Sequence, residues 1–304
     1  MKALVLGGCG FIGSHLVDRL LASGHQVRVF DRSPELFRPP LAHVDYRFGN
    51  IADTPLLAEA LEGVEVVYHL ISTAVPSTSN LDPVADVEGN LINTLRLLQL
   101  MVQKHIPRIV YLSSGGTVYG IPEMVPISET HPLRPICSYG VVKVAIEKYL
   151  HMFHQLHGME YVVLRASNPY GERQGHVGVQ GVIGTFMQKI LAGEPIEIWG
   201  DGNIVRDFIY IGDLAQLCVL AGMSEVSGIF NAGSGVGCSI NEIVKALSEV
   251  SGHEISPEYH AGRGFDVPRV VLDISKTCSE FDWSPQVSLT AGVAQSWKWG
   301  TGQE

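Results

Sequence analysis

The chain has 304 residues, 46% of them hydrophobic, enough for one large or two moderate domains around a sizeable core. Its 21 basic against 31 acidic residues leave a net charge of −10, which argues against nonspecific nucleic-acid binding and leaves room only for a local basic pocket. The five cysteines, Cys9, Cys137, Cys218, Cys238 and Cys278, are odd in number and hold no Cys-x-x-Cys pair, so neither a zinc site nor a disulfide framework is indicated and a reducing, cytoplasmic setting is expected.

The first apolar run stops after four residues at a glycine turn, which makes it a strand rather than a signal peptide. No later stretch approaches the roughly 18 apolar residues of a membrane span. Strand candidates follow at Ala3 to Leu6, Gln26 to Phe30, Val64 to Leu70, Arg108 to Leu112 and Glu160 to Leu164. Residues 13–23, 54–62, 84–105 and 139–157 carry apolar positions at helical spacing. This alternation predicts an α/β fold, a doubly wound parallel (Rossmann) sheet over residues 1–165, with ligand at the carboxyl ends of the strands. Beyond it the connections turn Gly- and Pro-rich, and residues 166–304 are expected to form mainly a smaller α/β substrate-binding lobe, with chain crossings between lobes. No internal repeat is present, and only Thr301 to Glu304 reads as a loose tail.

Gly7-Gly8-Cys9-Gly10-Phe11-Ile12-Gly13 follows a strand and opens a helix, the context a dinucleotide pyrophosphate requires. Gly7 permits the turn, Gly10 the approach of the phosphates, and Gly13 the packing of helix on strand. Asp31 ends the second strand candidate, where a carboxylate accepts hydrogen bonds from ribose hydroxyls and repels a 2′-phosphate; NAD is favoured over NADP, although Arg32 beside it weakens that discrimination. Asn50 and Ile51 would flank the adenine or cap a loop. Tyr139 and Lys143, at i and i+4 of one helix, place an ammonium near a phenol and are expected to favour the phenolate. A phenol so tuned, facing a nicotinamide, exchanges a proton while hydride leaves the same carbon. Without the glycine turn, such a pair reads only as an interface tyrosine and a solvated lysine.

These motifs, with Ser113-Ser114-Gly115-Gly116-Thr117-Val118-Tyr119-Gly120, Arg165 to Gly171 and Arg206 to Asp213, make the chain resemble the extended short-chain dehydrogenase/reductase family, from Met1 to about Trp283. Within it the likeness is to nucleotide-sugar 4-epimerases of the UDP-glucose and UDP-N-acetylglucosamine type. The resemblance implies Tyr139 as acid/base, Lys143 on the nicotinamide ribose and Asn90 beside the nicotinamide. Asn168, Arg206 and Arg263 match positions that hold the nucleotide diphosphate, and Asp266 one near the uridine ribose; two guanidinium forks suit a diphosphate.

The chain departs from the family pattern in several places. The family's triad carries a serine or threonine where this chain has Gly115. Thr117 would project to the same side if the segment stays extended, so it is expected to supply the missing hydroxyl, with Ser114 in reserve; alternatively, Thr117 only caps the strand end. Ile71-Ser72 stands where two small apolar residues are usual, and Asn93 where glycine is. Family members that dehydrate or decarboxylate place a carboxylate just before the Val-Tyr-Gly stretch; Gly115, Gly116 and Thr117 offer none, so 4-epimerisation through a transient 4-keto sugar is expected. Val270 aligns with a position where bulk excludes N-acetyl sugars, which implies acceptance of UDP-GlcNAc and UDP-GalNAc, alongside UDP-Glc and UDP-Gal.

Two other functions share the same motifs: a nucleotide-sugar reductase or dehydrogenase with net hydride transfer, and a noncatalytic NAD-sensing protein. His151, His154 and His157 form a helical stripe that reads as surface rather than metal site. The helices at 84–105 and 139–157 resemble the pair that makes a four-helix homodimer interface in the family.

Overall fold

The computed structural model describes residues 1–174, 181–262 and 267–302. The chain divides into two compact units, Met1–Gly120 with Pro132–Ala166 and Ala215–Phe230, and Ile121–His131 with Ser167–Leu214 and Asn231–Glu304. In chain order the elements begin with β1 (Lys2–Leu6), α1 (Phe11–Ala22), β2 (Gln26–Asp31), β3 (Val44–Phe48), α2 (Thr54–Ala60) and β4 (Val66–His69). Next come α3 (Pro83–Asp86), a π-helical turn (Val87–Ile92), α4 (Asn93–Gln103), β5 (Arg108–Ser114), α5 (Ser138–His157) and β6 (Glu160–Ala166). The remainder are β7 (Asn168–Tyr170), α6 (Val182–Ala192), β8 (Glu197–Trp199), β9 (Val205–Tyr210), α7 (Ile211–Met223), β10 (Gly228–Ala232), β11 (Gly237–Ser239), α8 (Ile240–Ser251), β12 (Glu258–His260), β13 (Arg269–Val270), α9 (Ser275–Phe281) and α10 (Leu289–Thr301).

The principal sheet runs β3-β2-β1-β4-β5-β6-β10, and every pair from β3 to β6 is parallel. The strand order reverses between β1 and β4, the switch point at which such sheets bind ligands. Leu4, Leu6, Val67, Ile109 and Tyr111 of the central strands pack on Leu97, Leu98 and Met101 of α4 and Val142, Ile146 and Leu150 of α5. Strands buried on both faces read as continuous apolar runs, which is why the central ones were visible in the sequence. β3 was not among the five candidates: Val44-Asp45-Tyr46-Arg47-Phe48 is an edge strand, partly exposed along its length.

The helix expected over 84–105 also differs, because a π-helical turn separates α3 from α4. Three side chains reach back to carbonyls four residues earlier: Asn90 Nδ2 to Asp86 O (3.2 Å), Asn93 Nδ2 to Gly89 O (3.0 Å) and Thr94 Oγ1 to Asn90 O (2.7 Å). Such bonds compete with the backbone ladder and widen the coil.

In the second unit β9 is the centre of a small sheet, antiparallel to β11 and parallel to β13 and β7. Its Asp207 is fully buried and accepts from Ser234 N (2.7 Å), Ser234 Oγ (2.9 Å), Gly235 N (3.1 Å) and Leu272 N (3.3 Å).

One ion pair fastens α5 to the main sheet. Arg165 of β6 grips Glu147 of α5 with both arms of its fork, Nε at 3.1 Å and the terminal nitrogen at 2.7 Å, and both side chains are buried. Ser113 Oγ donates to the same carboxylate at 2.5 Å, while the remaining Arg165 nitrogen donates to Tyr119 Oη at 3.0 Å. Removing one partner of such a pair strands the other charge. Arg165→Leu is therefore expected to lower the unfolding free energy by about 3–5 kcal/mol in urea titration, and Arg165→Lys to recover only part of it, because an ammonium cannot reproduce the fork.

Candidate active site

The site of the first unit is built at the carboxyl ends of β1, β2, β4 and β5. Gly7 takes φ +85°, a conformation side chains resist, and Gly13 lies so close to it that an added Cβ would stand 2.1 Å from Gly7 O. Gly10 caps α1 without any side-chain hydrogen bond, leaving first-turn N–H groups at Phe11, Ile12 and Gly13 directed out of the helix end. Asp31, at the end of β2, accepts from Cys9 N at 2.9 Å and from Arg32 N at 2.7 Å, so its carboxylate is turned toward the glycine turn; Arg32 itself is exposed. This cradle of open amides, absent side chains and a flanking carboxylate fits a dinucleotide. Asn50, exposed, caps its own loop with Oδ1 at Ala52 N (3.0 Å), while the Ile51 side chain is buried in the core.

Ile71, after β4, packs on the turn; a Cβ on Gly7 would meet its Cγ1 at 3.3 Å. Asn90 is buried in the π-turn with its Oδ1 accepting from Thr73 N (2.8 Å) and its Nδ2 donating to Asp86 Oδ1 (2.8 Å). Asn93 is folded back on its own helix, to Gly89 O and to Arg96 (3.1 Å), so its side chain satisfies itself locally.

Tyr139 lies in the first turn of α5, where the helix dipole favours an anion. Lys143 follows one turn on, 6% exposed, its Nζ donating to Leu112 O at 2.9 Å and standing 4.7 Å from the Tyr111 ring centroid and 5.3 Å from that of Tyr139. The expectation that lysine makes the phenol acidic is overturned for the protein alone: burial pushes Tyr139 up to about 12, with Cys137 and Asp86 adding to the rise and a hydrogen bond with Ser72 opposing it. The same burial pulls Lys143 down from 10.5 to about 8, against the fields of Glu147 and Asp86. His69, buried at the end of β4, is driven down to about 3 by burial and by Lys143, and stays neutral.

The assumption that 114–117 stays extended also fails. β5 ends at Ser114, and Val118 N returns to Ser114 O at 3.3 Å, so the chain turns there and strand alternation no longer decides which hydroxyl faces the site. The turn nevertheless brings Thr117 against α5: a Cβ on Gly140 would meet Thr117 O at 2.8 Å. Thr117 Oγ1 is buried without a hydrogen-bond partner. His151 (to Tyr161 Oη, 3.3 Å) and His154 (to Met159 O, 3.2 Å) lie on the far half of α5.

In the second unit Asn168 and Arg206 line one cavity of 410 Å³ with Tyr170 and Phe208. Asn168 Nδ2 donates to Asp207 O (2.8 Å), and one Arg206 nitrogen donates to Val205 O (2.9 Å) and Val267 O (2.7 Å). Val270 is buried in β13, in register with Arg206. Arg263 and Asp266 lie outside the described residues. Ile204 also lines a second cavity of 320 Å³ with Trp199, Gly200 and Asp201. Trp199, 43% exposed beside the Gly200-Asp201-Gly202 turn, has its ring centroid 5.5 Å from that of His260.

Residues 3–233 match the NAD dependent epimerase/dehydratase family. The chain belongs to that family. With membership come its cofactor, NAD, and its enzyme class, an NAD-dependent epimerase. Among its relatives, a UDP-glucose 4-epimerase of Mycolicibacterium smegmatis is 36% identical over 306 residues, 97% of each chain. The UDP-glucose 4-epimerase of Thermus thermophilus, solved in complex with NAD, superimposes with TM-score 0.91 at 35% identity over 99% of both chains. A UDP-N-acetylglucosamine 4-epimerase from Methanobrevibacter ruminantium, in complex with UDP-N-acetylmuramic acid, does so with TM-score 0.93 at 29% identity, covering 100% of this chain and 99% of its own. No helix among the described residues is long and apolar enough to cross a membrane.

The buried lysine makes stability depend on pH. Between about 8 and 10.5 the unfolded chain holds the Lys143 proton and the folded chain has released it, so this residue's contribution rises with pH across that window. Lys143→Met should remove a rise on the order of 3 kcal/mol between those limits, read from urea unfolding at a series of pH values.

Proposed function

We propose that the protein is a 4-epimerase of UDP-hexoses. The observation that carries this reading is the placement of Tyr139 and Lys143 on one face of α5, at the end of β5, with no carboxylate among Gly115, Gly116 and Thr117 to divert a ketose into elimination. Bound NAD supplies a hydride acceptor that later returns the hydride and, in its oxidised form, a positive ring charge. Against the burial that favours its protonated form, Tyr139 would be supported as the phenolate by the first turn of α5 and by Lys143 beside its ring. Tyr139 then takes the proton of the sugar's 4-hydroxyl, and Lys143 keeps the phenolate oriented while binding the nicotinamide ribose. After the 4-ketose turns over, Tyr139 returns the proton to the opposite configuration.

The buried, unpartnered hydroxyl of Thr117 supports it as the donor to the sugar's 4-oxygen in place of the hydroxyl absent at Gly115. Arg206 and Asn168, with Arg263, would hold the diphosphate, and Trp199 offers a stacking face for the base. Weak contacts at the hexose and firm ones at the nucleotide are what rotation of a ketose requires. The relative of the UDP-N-acetylglucosamine type and the modest volume of Val270 support acceptance of N-acetylated hexoses besides UDP-Glc and UDP-Gal. Exposed Leu81, Val84, Val87 and Ile92 in the segment leading to α4, and Val141, Met152 and Leu156 on α5, support a homodimer through these helices. Five free cysteines suit a reducing, cytoplasmic compartment.

Incubation with UDP-Gal, UDP-Glc, UDP-GalNAc and UDP-GlcNAc, with products separated chromatographically, should show interconversion without net change in reduced-nicotinamide absorbance. Stoichiometric absorbance change would instead establish a reductase, and tight NAD binding without turnover of any of the four a sensor. Tyr139→Phe should reduce kcat by about 10³-fold or more. Thr117→Ala should lose about 10²-fold while Ser114→Ala stays near wild type; the reverse order rejects the Thr117 assignment. Val270→Tyr should depress the N-acetyl reaction selectively, and equal loss on both sugar classes contradicts the pocket argument.

A further inference from the structure

Asp86 ends α3 and is 2% exposed. Its Oδ2 accepts from Ser138 Oγ at 2.7 Å and its Oδ1 from Asn90 Nδ2 at 2.8 Å. Ser138 is the first residue of α5, adjacent to Tyr139, and its own N–H donates to Asn80 Oδ1 at 2.8 Å. Asn90 extends the connection, since its Oδ1 holds the N–H of Thr73 in the segment after β4. One carboxylate therefore ties together the start of the tyrosine helix, the π-turn and the segment beside the glycine turn. Both of its oxygens are held by neutral donors, which orient it without cancelling its charge.

The groups that face the Tyr139/Lys143 pair come from every neighbouring element: Glu147 from α5, His69 from β4, Tyr111 from β5, and Cys137 just before α5. Glu147 is taken up by the Arg165 fork, and His69 and Tyr111 are held neutral by burial. Among the described residues Asp86 is thus the facing carboxylate whose charge no guanidinium absorbs, and its field acts to raise the proton affinity of Tyr139, Tyr111 and Lys143 alike.

We infer that Asp86 is a positioning residue for the chemistry at Tyr139: through Ser138 it sets the first turn of α5, and its carboxylate, held only by neutral donors, is the charge built into that turn. The kinetic part rests on the epimerase reading, whereas the charge part does not. Both are tested in the full-length protein. The Lys143 Nζ titration is followed by NMR after ¹⁵N-lysine labelling, its signal assigned with Lys143→Arg, and the pH dependence of kcat and KM is measured for UDP-galactose.

Asp86→Asn removes the charge at nearly constant shape. Its Lys143 midpoint should fall below the wild-type value by roughly half to one pH unit, the alkaline limb of kcat should move the same way, and kcat should drop about tenfold with KM nearly unchanged. Ser138→Ala keeps the charge and frees one oxygen; kcat should fall about fivefold while the Lys143 midpoint stays in place. An unmoved midpoint in Asp86→Asn, or an equal fall in Ser138→Ala, overturns the inference. If Asp86→Asn does not fold, Ser138→Ala decides it, because wild-type kcat there removes the positioning role. A shifted Lys143 midpoint in a protein that turns over no UDP-sugar would support the charge assignment while rejecting the epimerase reading.

Discussion

The structure of the first unit is organised around an ammonium that has been taken out of water without a carboxylate in contact. Lys143 donates to a backbone carbonyl and lies among the faces of Tyr111 and Tyr139. Its natural ion-pair partner is one helical turn away, because Glu147 stands at i+4 on the same face. Such a pairing would draw the ammonium down the helix and away from the phenol. Arg165 prevents it by occupying both oxygens of Glu147, with Ser113 adding a further donor. The buried ion pair beneath the site therefore does more than fasten α5 to β6. It leaves Lys143, among the described residues, donating to a carbonyl and set against two aromatic rings.

The glycine turn imposes the second constraint. Gly7 and Gly13 approach so closely that any side chain at Gly13 would collide with backbone, and this contact sets the start of α1 directly over the end of β1. Because the strand order reverses beside β1, a crevice opens there whatever the side chains are. Asp31 turns back toward the same crevice from β2, and the segment after β4, held by Asn90, borders it from the other side. Cofactor geometry is thus written mainly in backbone, with a few carboxylates and amides fixing its edges.

Most of this was legible in the sequence because glycine spacing, apolar strands and an i, i+4 pair are local patterns with direct structural meaning. What was not legible depended on pairing across the fold. β3 carries charged residues that only its edge position explains, and the π-turn arises from Asn90, Asn93 and Thr94 reaching backward, which helical periodicity cannot display. Asn93, standing where glycine is usual, bonds to its own helix. The proton affinity of Tyr139 was misjudged because burial, invisible in the spacing of Tyr139 and Lys143, outweighs the neighbouring charge in the protein alone. Asp86 and Glu147 were missed for the same reason: each acquires its role from a partner distant in sequence.

Thr117 keeps its interest although the extended geometry expected of its segment is absent. Strand alternation cannot justify it, since the chain turns after Ser114. A buried hydroxyl without a partner, however, carries a penalty of about 1–3 kcal/mol, which a fold retains only if the partner arrives later or if the cost is offset elsewhere. Asn90, Asp86, Ser113 and Glu147, by contrast, make hydrogen bonds within the protein. The Thr117 hydroxyl and His69 Nδ1 are instead buried without a hydrogen-bond partner. That distribution separates the groups whose bonds hold the first unit in shape from a hydroxyl whose bonding capacity the fold leaves unused.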